Sequence, residues 1–173
     1  QLAAQQGVQH LLDLGHTHIA CISNAPPSYA ASPDRVAGYQ SALLAAGITP
    51  NDGLIRYADF DPQSGYIQTK SLLESGSKFT AIFVASDNVA IGVKAALREA
   101  GLRIPEDISL VGFDDIPWAQ YADPPLTTVH LQAQEMARRA CLVLMDLLQG
   151  KEPEIKQQII ETHLVLRKSS RKL

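Results

Sequence analysis

The sequence predicts an α/β fold, an open parallel sheet with helices on both faces. Amphipathic helical stretches alternate with short apolar runs from residue 1 to 115, a pattern that places parallel strands between crossover helices. Glycines close the helical stretches at regular points, at Gly15, Gly47, Gly76 and Gly101. The run "FTAIFVAS", residues 79–86, is almost continuously apolar, as a strand covered on both faces should be.

The elements follow in order. "QLAAQQGVQHLLDLG" reads as a helix with Leu2, Val8, Leu11 and Leu12 on its apolar face, ended by Gly15, and "HIACIS" as the strand after it. Because Gln1 already stands in a helical pattern and is not Met, more sequence is expected before it. Ser32, Pro33 and Asp34 signal the start of the next helix, with proline in the first turn and an acid near the positive end of the dipole. "GLIRYADF" is the second strand, Asp61 and Pro62 open the third helix, and "FTAIFVAS" is the third strand. Asp87 caps "NVAIGVKAALREAG", and "ISLVGF" is the fourth strand. After residue 115 the grammar changes to a Pro-rich crossing "ADPPLTTVH", one long helix over residues 131–150, and a last strand pattern in "QQIIETHLVL". The long helix gathers Met136, Ala140, Val143, Leu144 and Leu147 on one stripe, which calls for a partner surface.

Composition narrows the function. The 173 residues are 46% hydrophobic, 19% charged and 6% aromatic, with a net charge of -3, which fits one ordinary domain or one lobe of a larger one. The dense basic cluster is the terminal Arg167, Lys168, Arg171 and Lys172, so this chain has no broad basic field for nucleic-acid phosphates. Cys21 and Cys141 each lie in an apolar run and read as small core residues, which suits a reducing, cytoplasmic setting. No run approaches the roughly 18 apolar residues of a membrane span.

In an open parallel sheet, ligands bind outside the carboxyl ends of the strands. Those positions hold Ser23 and Asn24, Phe60 and Asp61, Ser86 and Asp87, and Asp114 and Asp115, with Arg35 brought to the same edge by the second helix. Carboxylates and amides accept from hydroxyls, arginine donates in a fork, and an aromatic ring covers an apolar face, so the set suits a small polyhydroxylated ligand. Each residue has a plainer alternative. Asp61 and Asp87 precede helices and read as caps. Arg35 could form a surface ion pair, Phe60 could be core, and Tyr29 reads as a loop aromatic. Asp114 is singled out for ligand contact, because a second acid follows it and capping explains one of the pair at most; Asp115 is left to cap or solvate the next turn. No G-x-S-x-G elbow, phosphate loop, G-x-G-x-x-G or metal-spaced cysteine pair occurs, so catalysis, a cofactor and a metal are not expected. His10, His16 and His18 fall on a helix, its cap and a strand, and read as separate histidines.

Several stretches, "HLLDLGHTHIACI", "RVAGYQSAL", "FVASDNVAIGVKAALREAGLRIPEDISLVGFDDIPWAQYADPPLTTVH" and "VLRKSS", resemble the lactose repressor (LacI/GalR) family of bacterial transcription regulators. "IPEDISLVGFDD" followed by "PPLTTV" is more typical of these repressors than of the periplasmic sugar-binding transport proteins that share the fold, which stand as the alternative. The resemblance implies a two-lobed, type I periplasmic-binding-protein-like domain that takes a sugar or nucleobase-like metabolite between its lobes and alters operator affinity. It implies a helix-turn-helix headpiece and the first half of the amino-terminal lobe before Gln1, with operator DNA bound only through that headpiece. Residues 1–126 would then be the carboxy-terminal lobe, residues 127–150 a crossing and a helix of the other lobe, and residues 151–173 the final strand and tail. Carried over by motif, the effector contacts are Arg35 in "RVAG", Phe60 in "ADF", Ser86 in "ASDN" and Asp114 in "GFDD". Ser86 departs from the Asn of many relatives, which changes the ligand groups within reach. A homodimer is implied through Ile91, Ala95, Arg98, Trp118 and Tyr121, with Trp118, Tyr121 and Ile91 expected on the surface.

Overall fold

A computed structural model describes residues 1–151 and 158–173. Among the described residues, six strands form one sheet in the order β2-β1-β3-β4-β5-β6. They are β1 (Ile19–Ser23), β2 (Ile55–Tyr57), β3 (Ala81–Val84), β4 (Ser109–Asp114), β5 (Thr127–His130) and β6 (His163–Val165). All neighbours are parallel except β6, which runs antiparallel to β5. The helices are α1 (Leu2–Asp13), α2 (Ala31–Ala45), α3 (Pro62–Glu74), α4 (Asp87–Glu99) and α5 (Ala133–Leu148).

The period-two alternation of each strand divides the core into two layers. Ile19, Cys21, Phe83, Val111 and Phe113 point to one face and pack with Val8 and Leu11 of α1 and Val36, Tyr39 and Leu43 of α2. Ala20, Ile22, Ile82, Val84 and Leu110 point to the other, against Leu72 of α3 and Val89, Val93 and Leu97 of α4. The central strands are therefore apolar at successive positions, the pattern that "FTAIFVAS" displayed. On the second face α3 and α4 approach at glycines: a Cβ on Gly92 would stand 1.7 Å from the Pro62 carbonyl oxygen.

Several boundaries differ from the sequence reading. β2 keeps only three residues of "GLIRYADF", because Asn51 caps a short turn over 52–54 and the chain leaves the ladder after Tyr57. α2 begins at Ala31, and Ser32 is buried rather than exposed at a cap. Thr127–His130, which the lobe division assigned to the crossing, pair with β4 and lie in the same sheet, so the sheet extends past residue 126. The last strand is shorter than "QQIIETHLVL", and Gln157 of that stretch lies outside the described residues.

α5 stands apart. None of its residues is buried, and Met136, Leu144 and Leu147 are each about half exposed. The predicted stripe exists as a groove of about 540 Å³ in which Met136, Ala140, Val143, Leu144 and Leu147 share a wall. Cys21 is a core residue, as expected, but Cys141 is exposed because its whole helix lacks a covering surface.

Candidate functional site

The strand order places β1 between β2 and β3, so the chain crosses the sheet in opposite directions on leaving β1 and β2, and a crevice opens at the carboxyl ends of these strands. Ser23, at the end of β1, is fully buried and shares a 2.6 Å hydrogen bond with Ser32, whose hydroxyl in turn donates to the Ala25 carbonyl at 2.6 Å. This brace pins the first turn of α2 to the sheet and delivers Arg35 to the crevice.

Arg35 is mostly buried. Its guanidinium donates to the Ala85 carbonyl, lies 4.2 Å from the centroid of the Phe113 ring, and comes within 3.6 Å of Asp114 Oδ1. It is thus not the surface ion pair that the plainer reading allowed. The Ser86 hydroxyl donates to Asp114 Oδ2 at 3.1 Å. Burial pushes the Asp114 carboxyl above the usual carboxylate range, with Arg35 and Ser86 pulling the other way. Arg35, Ser86 and Asp114 therefore meet in one place.

Phe60 borders them from the β2 side. It is not core: its ring is 45% exposed and meets Tyr29 edge to face at 5.0 Å, so the two form an aromatic rim. The Phe60 amide donates to the Asn24 carbonyl at 2.8 Å, and the Asn88 side chain donates to the Phe60 carbonyl at 2.7 Å. Sequence reasoning set Tyr29 aside as a loop aromatic; the pairing with Phe60 depends on the spacing of two loops and has no local signature. Asn24 is buried, and its Oδ1 has no hydrogen-bond partner among the described residues.

Among the described residues, three non-glycine residues hold positive φ, and all three belong to this edge: Phe60 at 64°, Asp114 at 116° and Asp115 at 57°. Such conformations cost about 1–3 kcal/mol each and persist where the surroundings fix them. For Asp115 the surroundings are an ion pair, not a cap: Arg167 Nη2 donates to Oδ1 at 2.7 Å, and His130 Nδ1 lies 2.9 Å from Oδ2. Burial works against its charge, but the hydrogen bonds from Arg167 and His130 outweigh it and hold the carboxyl below the usual range. The expectation that Asp115 solvates or caps the next turn fails because β5 and the tail, remote in sequence, bring it these two partners.

Asp87 is a second correction. Ser86 occupies the N-cap position of α4, and the Asp87 side chain turns away from the helix to accept from the Phe113 amide at 2.9 Å, the Ile116 amide at 3.0 Å and the Thr128 hydroxyl at 2.7 Å. Asp61 does cap α3, accepting from the Ser64 amide at 2.7 Å.

The candidate dimer residues fall on another face. Ile91, Ala95, Arg98 and Trp118 line a groove of about 620 Å³, while Tyr121, 81% exposed, is not among its lining residues. Trp118 is half-buried against the second core layer rather than on the surface. His10 bonds Ser170, His16 bonds Thr80 and the Arg171 carbonyl, and His18 bonds Thr17. Among the described residues, no helix is long and apolar enough to cross a membrane.

Chemically, Asp114 offers acceptor positions, Ser86 a hydroxyl, Arg35 a fixed cation, and Phe60 with Tyr29 an apolar wall. Beside Asp114 a concavity of about 780 Å³ runs past Asp115 and His130 to Arg138 at the start of α5.

The periplasmic binding protein-like domain model matches residues 8–170. The chain is 37% identical over 165 residues to the HTH-type transcriptional regulator CelR of Thermobifida fusca, covering 95% of this chain and 48% of that protein. It is 35% identical over 171 residues to the HTH-type transcriptional repressor CytR of Escherichia coli strain K12, covering 99% and 50%. A structure of the CelR–cellobiose complex superposes with a TM-score of 0.92 at 36% identity, over 97% of this chain and 51% of that one. A lac repressor dimer bound to operator and the anti-inducer ONPF gives 0.89 at 34% identity, over 97% and 57%. The chain spans about half the length of the curated relatives it matches.

Proposed function

The chain belongs to the periplasmic binding protein-like domain family, in the branch carried by LacI-type transcription regulators, and from that premise we propose that it is the effector-sensing part of such a regulator. A small metabolite, a sugar foremost, binds between this lobe and a second one and changes the affinity of a DNA-binding headpiece for its operator, in the cytoplasm. The observation that carries the reading is the convergence of Arg35, Ser86 and Asp114 at the carboxyl edge of the sheet, rimmed by Phe60. Asp114 accepts from ligand hydroxyls, Arg35 fixes a polar substituent, and Phe60 covers the ring.

The mechanism is a population shift. An effector that touches both lobes in only one arrangement favours that arrangement, and a homodimer built partly on Ile91, Ala95, Arg98, Trp118 and Tyr121 passes the change to the headpieces. The division into lobes accounts for the bare stripe on α5, whose cover is the other lobe. By itself this chain supplies one wall of the cleft and binds effector weakly. The relatives are regulators of transcription, and CelR has been seen with cellobiose, which favours regulation over transport.

Operator binding by the full-length protein tests this. Its operator affinity is expected to change when a sugar from a panel beginning with cellobiose, or a purine-like metabolite, is added. An operator affinity indifferent to every ligand that the protein binds would overturn the regulatory reading.

A further inference from the structure

Asp87 is fully buried, and taking a carboxylate out of water costs several kcal/mol unless partners compensate. Its partners are not those of a helix cap. Oδ1 accepts from the Phe113 amide and the Thr128 hydroxyl, and Oδ2 from the Ile116 amide. Phe113 and Ile116 stand immediately before and after Asp114 and Asp115, the two successive residues with positive φ. One side chain therefore grips both ends of the most strained segment of the sheet edge, and Thr128 ties that grip to β5. Room for it comes from Gly112, where a Cβ would lie 2.1 Å from Asp87 Oδ1.

We propose that Asp87 is the positioning residue of the effector site, its carboxylate clamping the backbone on both sides of Asp114 and Asp115 so that Asp114 faces Arg35 and Ser86. Asp87 does not touch the ligand; it acts through Asp114. The charged groups that face it are Asp114 from β4 and Arg35 from α2, and β5 presents the Thr128 hydroxyl. Burial pushes the Asp87 carboxyl up to about 7 against the pull of its three donors, so the clamp titrates near neutrality. The positioning role rests on the reading of Asp114 as an effector contact. The clamp itself is measured with no ligand, so failure of that reading would leave the following signals unchanged.

The test is nuclear magnetic resonance on the full chain between pH 5 and 9. The Phe113 and Ile116 amides are expected to shift together with one midpoint near 7. Thr128→Val moves that midpoint upward, because the lost hydroxyl favoured the charged form. Asp87→Asn abolishes the titration and speeds Ile116 amide exchange at least about tenfold, since an amide NH₂ cannot accept from Ile116, while the α3 and α4 helix amides stay protected. Phe113 and Ile116 amides that exchange no faster in Asp87→Asn than in the parent would overturn the proposal. So would an Asp87→Asn variant whose exchange rises as much across α4 as at Ile116, the mark of a merely structural role.

Discussion

Two carboxylates at the carboxyl edge of the sheet, Asp87 after β3 and Asp115 after β4, respond to pH in opposite senses. Asp87 is raised by burial, so its folded form holds a proton that the unfolded chain has given up. Its stabilising contribution is full below the ordinary carboxylate value of about 4 and is lost as pH rises through about 7. Asp115 is lowered by Arg167 and His130 despite burial, so its contribution is present above about 4 and is lost as pH falls through its depressed folded value. Urea unfolding across pH 3–8 is therefore expected to show opposite tilts: Asp87→Asn flattens the loss of stability between pH 4 and 7, and Asp115→Asn flattens the loss on acidification. Arg167→Met removes a donor from a mostly buried ion pair and should cost about 1–3 kcal/mol at pH 7 by the same measurement. Parallel profiles in parent and variants would contradict both assignments.

At the scale of elements, helix packing supplies a sharper test. Gly65 and Gly92 let α3 and α4 approach until backbone meets backbone, and a Cβ at Gly65 would stand 2.3 Å from the Val89 carbonyl oxygen. Gly92→Ala must push the two helices apart and should cost at least about 1–3 kcal/mol by urea unfolding, although alanine is the better helix former. Neither glycine announces this in the sequence, where each is one small residue inside a helical pattern. The helices and strands themselves were legible because apolar spacing, closing glycines and Asp61–Pro62 are local signals. The edge residues were legible too, since a strand end is a position that a pattern reveals. What the pattern hides is the partner across the sheet. Asp87 before a helix looks the same whether it caps α4 or reaches to Phe113 and Ile116, and Asp115 gives no hint of Arg167, more than fifty residues away. Cys141 was misplaced for the converse reason: apolar neighbours mark a buried helix only where something covers it.

For the whole molecule, the described residues form one six-stranded sheet with Arg35, Ser86 and Asp114 gathered at its carboxyl edge and a helix, α5, with no buried residue. The positive-φ residues Asp114 and Asp115 are held by the Asp87 carboxylate on either side and by Arg167 and His130 on Asp115. The stripe of α5 is about half exposed at Met136, Leu144 and Leu147 and lines a groove that none of Arg35, Phe60, Ser86 and Asp114 lines. The central claim is that Asp114 binds the effector, and one measurement meets it directly: thermal unfolding of full-length parent and Asp114→Ala proteins against the same panel of sugars and purine-like metabolites. A ligand that binds only the folded state at about a hundred times its Kd adds about 2.7 kcal/mol of apparent stability. The account predicts that one ligand class raises the parent's Tm and leaves that of Asp114→Ala where it was. A ligand that raises both by the same amount, or a panel that raises neither, would contradict it.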